Sequence, residues 1–198
     1  MMDPYLCFAR QALLSSSVNP IYLFTGVLAE VFFSLPGHGD LTPANNGLWD
    51  PASDKKKILY RGDGDEVWNF TAERDAAAYS IELVTREGAE RGGFFRVHSG
   101  MYSPLDVKAI YQQVRGREVE AWRLGSMLEL RDAAFNARRM GDVSECWRYI
   151  GFFYQLFTVE GTWTWTENET VCDEFPGVER TSLRRWLEEN PEVRLLSV

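Results

Sequence analysis

Two histidines limit the proton-transfer chemistry that this sequence could perform at neutral pH, because histidine is the side chain that normally titrates there. His38 lies in a Gly-, Pro-, Asn- and Asp-rich stretch at residues 35–54, close to Asp40 and Asp50. A loop of this length is uncommon unless it is functional or mobile. We therefore predict His38 as the catalytic acid or base, with an exposed loop histidine of no function as the alternative. His98, on the polar phase of an alternating strand pattern, is the weaker candidate.

The cysteines form no recognisable reactive or metal-binding arrangement. Cys7, Cys146 and Cys172 are far apart, and they show no C-x-x-C pair, no nucleophile–histidine arrangement and no metal-ligand spacing. No signal-peptide pattern opens the chain, and no apolar stretch approaches the roughly 20 residues of a membrane helix. These features predict a metal-free, cytoplasmic protein with reduced cysteines and no membrane contact.

Aromatic residues at two places could contact a small-molecule substrate. Ile21–Thr25 is a continuous β-prone run, which is typical of a strand buried on both faces. Ligands of open α/β sheets lie at the carboxyl ends of such strands, so we predict Phe24 and Thr25 as substrate contacts. Trp147 and Tyr154, in an aromatic-rich helical pattern, are predicted to line the same pocket with their polar tips. Core packing is the alternative for these side chains.

The composition is that of an ordinary globular domain, with 198 residues of which 45% are hydrophobic and 25% charged. We predict a single domain over residues 1–198, because no repeat or linker divides the sequence. The net charge is −8, and the compact basic run is limited to Lys55–Lys57. Nucleic-acid binding depends on a basic face, so this charge predicts a protein that binds no nucleic acid.

Strands and helices alternate along the sequence, which predicts an α/β fold with short crossovers. The predicted strands cover residues 21–25, 57–60, 67–71, 94–99 and 118–124. The predicted helices cover residues 75–87, 103–116, 126–139 and 149–157, together with a last helix capped by Thr181. A further short helical pattern at residues 5–17 carries Leu6, Ala9 and Leu13. We expect helices 75–87 and 149–157 to pack on the sheet, and strand 20–25 to lie centrally or at an exposed edge.

Two of the predicted helices have strong start signals. Ser103 precedes Pro104, and Asp106 follows three residues after the serine, so the serine can cap the helix and the acid lies near its positive end. Ser126 and Glu129 have the spacing of a capping box.

A set of stretches carries a family resemblance in its order and spacing. The main ones are Tyr60–Thr71 (YRGDGDEVWNFT), Arg74–Tyr79 (RDAAAY), Gly92–Gly100 (GGFFRVHSG) and Ile110–Gly116 (IYQQVRG). The supporting ones are Thr25–Glu30, Phe175–Val178 and Thr181–Leu183. Together, from about Asn19 to the last residue, they resemble the NmrA-like family of atypical short-chain dehydrogenase relatives. That family includes isoflavone-reductase-like enzymes and a fungal nitrogen-regulation protein.

The resemblance implies a partial Rossmann-like sheet with a C-terminal helical region on the substrate side. The family's reductases hold the dinucleotide phosphates on an N-terminal Gly-x-x-Gly-x-x-Gly turn, where glycines let backbone N–H groups approach the pyrophosphate. This sequence has no such turn, and we predict Gly37–Gly39 and Gly62–Gly64 to be plain turns. Relative to the family, the chain is expected to be truncated at its N-terminus.

A second departure from the family concerns a lysine. The reductases use a lysine on the helix before the strand that matches residues 21–25, whereas residues 1–54 contain no lysine. Arg10 is the nearest cation, and a guanidinium stays protonated. We therefore expect no cofactor to bind this chain alone, and NADP to bind if the N-terminal part is supplied.

The resemblance implies an oxidoreductase-type function on an aromatic or polyketide-like small molecule. The alternatives are a cofactor-independent isomerase or cyclase, a ligand-binding protein, and a regulatory interaction protein of the nitrogen-regulation type. The substrate is expected between the end of strand 20–25, the loop at 35–54 and the aromatic helix at 147–157. Because unpaired strand edges favour association, we also predict a homodimer or contact with another protein.

Overall fold

The computed structural model describes residue 14 and residues 19–35, 37–38, 57–142 and 149–193. Within these ranges strands alternate with helices, which confirms the predicted α/β class. The strands are β1 (Ile21–Phe24), β2 (Val27–Leu28), β3 (Lys57–Arg61), β4 (Trp68–Thr71), β5 (Gly93–Arg96), β6 (Gly100–Tyr102) and β7 (Glu120–Gly125). The α-helices are α1 (Ala29–Phe32), α2 (Glu73–Thr85), α3 (Pro104–Arg115), α4 (Met127–Met140), α5 (Ile150–Val159) and α6 (Leu183–Glu189).

The strands of the described residues pair in three small groups, and most of the pairs are parallel. β1 pairs with β5 and β3 pairs with β7, both in parallel. β4 lies between β2, to which it is parallel, and β6, to which it is antiparallel. Gly62 and Gly64, in the turn between β3 and β4, have φ values of 84° and 90°. Glycine adopts this conformation without strain, so the turn can send two consecutive strands into different groups.

The predicted strand at 21–25 is confirmed, but the prediction that it is buried on both faces is wrong. Ile21 and Leu23, on its inner face, pack into the core formed with α2. Phe24, on the outer face, is 37% exposed. Among the described strands β1 has β5 as its one partner, so it lies at an edge. A short apolar run reveals that a strand is buried, but not how many of its faces are covered.

A core cluster joins the β2–β4–β6 group to α1, α3 and α6. Its buried aromatic members are Phe32, Phe33, Trp68, Phe70, Tyr111 and Trp186. The rings of Phe33 and Trp186 stack with centroids 5.2 Å apart, which fixes α6 against the end of α1. The Tyr111 hydroxyl donates to the carbonyl of Val193 at 3.0 Å, so α3 also holds the segment that follows α6.

Helices α3 and α4 begin where their sequence signals predict. The Ser103 hydroxyl accepts from the backbone N–H of Asp106 at 3.1 Å. The Asp106 carboxylate accepts in return from the N–H of Ser103 at 2.9 Å. Ser126 and Glu129 form the same reciprocal pair at the start of α4. Both capping predictions are confirmed.

The prediction that Thr181 caps the last helix is wrong by one residue. Ser182 is the cap of α6, and its hydroxyl accepts from the backbone N–H of Arg185 at 3.3 Å. Thr181 bonds instead to the buried carboxylate of Asp75. Thr181 and Ser182 both match the sequence pattern of a helix cap. The structure distinguishes them because Thr181 is bound to Asp75 instead.

The prediction that helix 149–157 packs on the sheet is also wrong, because α5 packs against α4. Leu130 and Ala134 of α4 form a separate core cluster with Phe153 and Leu156 of α5. The ring of Phe135 adds an edge contact to Phe153, with centroids 5.4 Å apart. Each helix has an apolar face that the sequence reveals, and these two faces cover each other.

Candidate functional site

His38 forms a pair with a carboxylate at the start of α2. Its Nδ1 lies 2.7 Å from Oε2 of Glu73, and its side chain is 41% exposed. A carboxylate accepts hydrogen bonds, so Nδ1 carries the hydrogen and Nε2 is left free to exchange a proton. The carboxylate orients the ring, as the acid of a catalytic triad does. The pair is therefore suited to general acid–base chemistry.

A second carboxylate fixes the position of Glu73. Glu30 is 8% exposed, and its Oε2 accepts from the backbone N–H of Glu73 at 3.0 Å. Its Oε1 accepts from Nε1 of Trp186 at 2.7 Å. The preceding N–H, that of Ala72, donates to the Ser99 hydroxyl at 3.0 Å. Helix α2 has no side-chain cap of its own, so these groups supply the acceptors that its first turn requires.

The strand order explains why these side chains meet. β2 and β4 are parallel, with Leu28 opposite Thr71, and each strand leads within two residues into a helix. Glu30 follows the first strand and Glu73 follows the second. The His38–Glu73 pair therefore lies at the carboxyl ends of two parallel strands, which is where ligands of open α/β sheets bind.

The end of β1 lies at the same place. The carbonyl of Thr25 accepts from the hydroxyl of Thr71 at 2.5 Å, and Thr71 is two residues before Glu73. The structure thus brings Thr25 and His38 to the carboxyl end of β4. Phe24 points to the outer face of β1, where its ring stacks on Phe94 with centroids 6.1 Å apart.

Tyr154 is linked through Trp163 and Thr164 to the amino end of β4. Its ring packs on Trp163 with centroids 5.1 Å apart. The hydroxyl of the next residue, Thr164, donates to the carbonyl of Val67, just before β4 begins. No contact among the described residues joins Tyr154 to Thr25 or His38. Trp147 and residues 39–54 lie outside the described residues, so a shared substrate site of strand, loop and helix stays a prediction.

A small cavity lies in the core, next to the start of α2. Six residues from β4, β6 and the α6 region contribute to its wall: Phe70, Thr71, Ser99, Tyr102, Thr181 and Trp186. Its volume of about 10 Å³ is about what one water molecule requires. This cavity is therefore too small for an aromatic substrate.

The second histidine is buried and has a carboxylate partner that the sequence did not reveal. His98 is 2% exposed, and its Nε2 lies 2.7 Å from Oε2 of Glu167. The prediction that His98 lies on a polar face is wrong, because the segment after β5 passes beneath residues 167–174. Arg180 also binds Glu167. Partial burial opposes the charge of Glu167, but Arg180 and His98 outweigh it and lower the pKa of this carboxylate.

The Gly62–Gly64 turn does not fit a dinucleotide phosphate. The backbone N–H groups of Asp63 and Gly64 donate to the carboxylate of Glu66 at 2.7 and 2.8 Å. A Cβ at Gly62 would lie 2.0 Å from Oε1 of the same carboxylate. The donors that a phosphate would need are thus occupied by a side chain with the same sign of charge. The prediction of a plain turn is confirmed here.

Neither a metal-binding cluster nor a membrane-spanning helix is found in the described ranges. No group of three or more His, Cys, Asp or Glu side chains there could hold a metal ion. None of the described helices has the length and hydropathy needed to span a bilayer.

The comparisons with known proteins give solved structures as relatives. No family model matches the chain, and no curated protein matches it. An isoflavone reductase superposes with a TM-score of 0.61 at 14% identity, covering 92% of this chain and 56% of its own. AtPrR2 with NADP+ and (+)pinoresinol superposes with a TM-score of 0.64 at 17% identity, covering 94% of this chain and 56% of its own. A nucleoside-diphosphate-sugar epimerase from Staphylococcus aureus gives 0.57 at 15% identity, covering 94% and 58%.

The chain has the Rossmann-like fold of these reductase and epimerase structures. The fold expected from the NmrA-like, isoflavone-reductase-like resemblance is therefore confirmed. The chain spans a little over half the length of these three structures.

Proposed function

We propose that this chain forms the substrate side of an NADP-dependent, reductase-type protein that acts on an aromatic small molecule. The observation that carries the proposal is the His38–Glu73 pair at the carboxyl ends of β2 and β4. In this proposal Nε2 of His38 exchanges a proton with the substrate, and Glu73 stabilises the imidazolium that forms. Thr25, at the end of β1, lies beside the bound molecule.

The structural relatives support the substrate class. One of them is an isoflavone reductase, and another holds (+)pinoresinol together with NADP+. Both named compounds carry aromatic rings. The fold that this chain shares with them contains the strand ends at which the proposal places the substrate, so an aromatic compound is the first class to test.

The dinucleotide, when bound, would supply a hydride. The described turn with two glycines has its N–H groups occupied by Glu66, so the proposal assigns the phosphates to residues other than these. What the described residues contribute is the orientation of the substrate and the movement of a proton at His38.

A cofactor-independent isomerase or cyclase is the second candidate function. The same observation favours it, because a histidine–carboxylate pair moves protons without a dinucleotide. A ligand-binding or regulatory interaction protein would require neither a free Nε2 nor the carboxylate beside the ring.

The test uses the purified chain with flavonoid and lignan probes that include (+)pinoresinol. Binding is measured by calorimetry, NADPH consumption by nicotinamide absorbance, and proton exchange by deuterium uptake of the probe in heavy water. We expect aromatic probes to bind the wild-type chain, and replacement His38→Asn to abolish any proton exchange while binding remains. Exchange without NADPH that depends on His38 would favour the isomerase. Failure of every aromatic probe to bind would contradict both enzyme functions.

A further inference from the structure

Trp186 connects helix α6 to the candidate site. Its side chain is 2% exposed, and its ring stacks on Phe33 with centroids 5.2 Å apart. Its Nε1 donates to Oε1 of Glu30 at 2.7 Å. A buried indole N–H normally finds a polar partner, and here that partner is a carboxylate beside the His38–Glu73 pair.

Glu30 holds the main chain on both sides of this pair. Its Oε2 accepts from the backbone N–H of Glu73 at 3.0 Å. Its carbonyl accepts from the N–H of Leu35 at 2.9 Å, and the carbonyl of Leu35 accepts from the N–H of His38 at 3.1 Å. One residue therefore orders the backbone of the ring and of the carboxylate that meet at 2.7 Å.

The chain between Glu30 and His38 has a backbone conformation that requires support. Ser34 has a φ of 51°, in the left-handed region that residues other than glycine rarely adopt. Such a conformation is unfavourable and persists where the surrounding structure holds it. Phe33, on one side of Ser34, is held by its stack on Trp186, and Leu35, on the other side, is held by Glu30. Both supports therefore depend on the contact between α6 and α1.

The carboxylate of Glu30 depends on its two N–H donors. It is 8% exposed, so water can replace a lost donor only if the side chain moves. Trp186 supplies the donor to one oxygen and the backbone of Glu73 supplies the donor to the other. Without the indole N–H, we expect the carboxylate to turn towards solvent and to release the first turn of α2.

We propose that Trp186 and Glu30 are positioning residues, through which α6 controls whether Glu73 meets Nδ1 of His38. The inference rests on the proposed function, because the pair is the group that exchanges the proton there. Both residues act through Glu73 and the main chain that leads to His38, and neither is assigned a contact with the substrate. The coupling itself can be measured without any substrate.

Nitrogen NMR of the full chain with isotope-labelled histidine tests the coupling. The chain contains two histidines, so few signals overlap, and the His38→Asn variant assigns the signals of His38. At mildly alkaline pH an imidazole is normally neutral and carries one hydrogen. In the wild-type chain we expect that hydrogen on Nδ1 of His38, because Glu73 accepts there. The two ring-nitrogen signals of His38 should then be well separated.

Two matched variants show whether the indole N–H is responsible. Trp186→Phe keeps a ring that can pack on Phe33 and removes the donor to Glu30. The control is Trp68→Phe, because Trp68 belongs to the same core cluster, is 5% exposed, and has no hydrogen-bond partner for its Nε1 among the described residues. Both changes remove the same volume from one core, so general loosening affects them alike.

We expect the two ring signals of His38 to move towards each other in Trp186→Phe, because the hydrogen is then shared between both nitrogens. In Trp68→Phe they should keep their wild-type positions. Signals that stay in place in Trp186→Phe, or that move equally in both variants, would overturn the inference.

Glu30→Gln is the second variant, for use if Trp186→Phe does not fold. An amide offers one acceptor oxygen, so it can satisfy only one of the two donors. The same movement of the His38 signals is expected, and unchanged signals would again overturn the inference. A wild-type chain without the Nδ1–H form would overturn the proposed function as well, because the pair would be absent. A pair that is present but does not respond to either variant would overturn this inference alone.

Discussion

Nδ1 of His38 and Oε2 of Glu73 lie 2.7 Å apart, although 35 positions separate the two residues in the sequence. The contact joins the segment after α1 to the first turn of α2. The backbone N–H of Glu73 donates to one carboxylate oxygen of Glu30, and Nε1 of Trp186 donates to the other. The partner of His38 is thus held by residues of α1 and α6, and it is fixed more firmly than an exposed pair alone would be.

Replacing His38 by alanine should remove proton transfer and leave the fold intact. The side chain is 41% exposed, so we expect the free energy of unfolding to change by no more than about 0.5 kcal/mol. Turnover of any substrate that is found should fall by about 10²–10⁴-fold, which is the usual contribution of a positioned acid or base. Thermal unfolding and steady-state rates of the same preparation measure the two effects. A variant that retains the wild-type rate across pH 5 to 8 would show that His38 has no acid–base role.

Asp75 should be far more important for stability than for chemistry. Its buried carboxylate accepts from the N–H of Thr181 at 2.7 Å, from the Thr181 hydroxyl at 2.8 Å and from the Ser99 hydroxyl at 2.5 Å. Asp75→Ala leaves these donors without this acceptor, and each of the two buried Thr181 donors then costs about 1–3 kcal/mol. We expect a loss of about 3 kcal/mol in urea unfolding. Asp173→Ala, at an exposed acid, is the control and should change stability by less than about 0.5 kcal/mol. Equal midpoints for the two variants would contradict this account.

Much of the local structure could be predicted from the sequence, because its signals are local. Ser103 with Asp106 and Ser126 with Glu129 are separated by three residues, so their reciprocal bonds follow from spacing alone. The apolar run at 21–25 likewise predicts a strand. What lies against each element is not local information. The predicted position of α5 on the sheet was wrong for that reason.

Glu167 should make the stability of the protein depend on acid pH. Arg180 and His98 lower its pKa in the folded state against the opposing effect of burial. The folded state then binds fewer protons than the unfolded one, so the stabilisation is complete above the ordinary glutamate pKa and is lost as pH falls through the folded-state pKa. Urea midpoints measured from about pH 6 down to about pH 3 should fall less steeply for Glu167→Gln than for wild type. The control Glu188→Gln, at an exposed carboxylate, should retain the wild-type slope. A Glu167→Gln slope identical to that of wild type would rule out this linkage.

Only part of the candidate site could be predicted from the sequence. His38 could be selected because histidines are rare in this chain, and Thr25 because it ends a β-prone run. Glu73 and Glu30 could not be selected from the sequence. An acid in the first turn of a helix is commonly explained by the positive end of the helix dipole. The two acids meet because β2 pairs in parallel with β4, and the sequence does not reveal that pairing. His98 was misjudged for a similar reason, since its partner Glu167 lies 69 positions away.

Side-by-side titrations of the purified chain with NADPH and with (+)pinoresinol test the central claim most directly. Nicotinamide fluorescence reports the dinucleotide, and tryptophan fluorescence reports the aromatic probe. If this chain carries the substrate side alone, the aromatic probe should bind while NADPH shows no saturable binding in the low micromolar range. The donors of the Gly62–Gly64 turn are occupied by Glu66, and the net charge of −8 repels a polyanion. Low-micromolar NADPH binding, with no binding of the aromatic probe, would contradict the account.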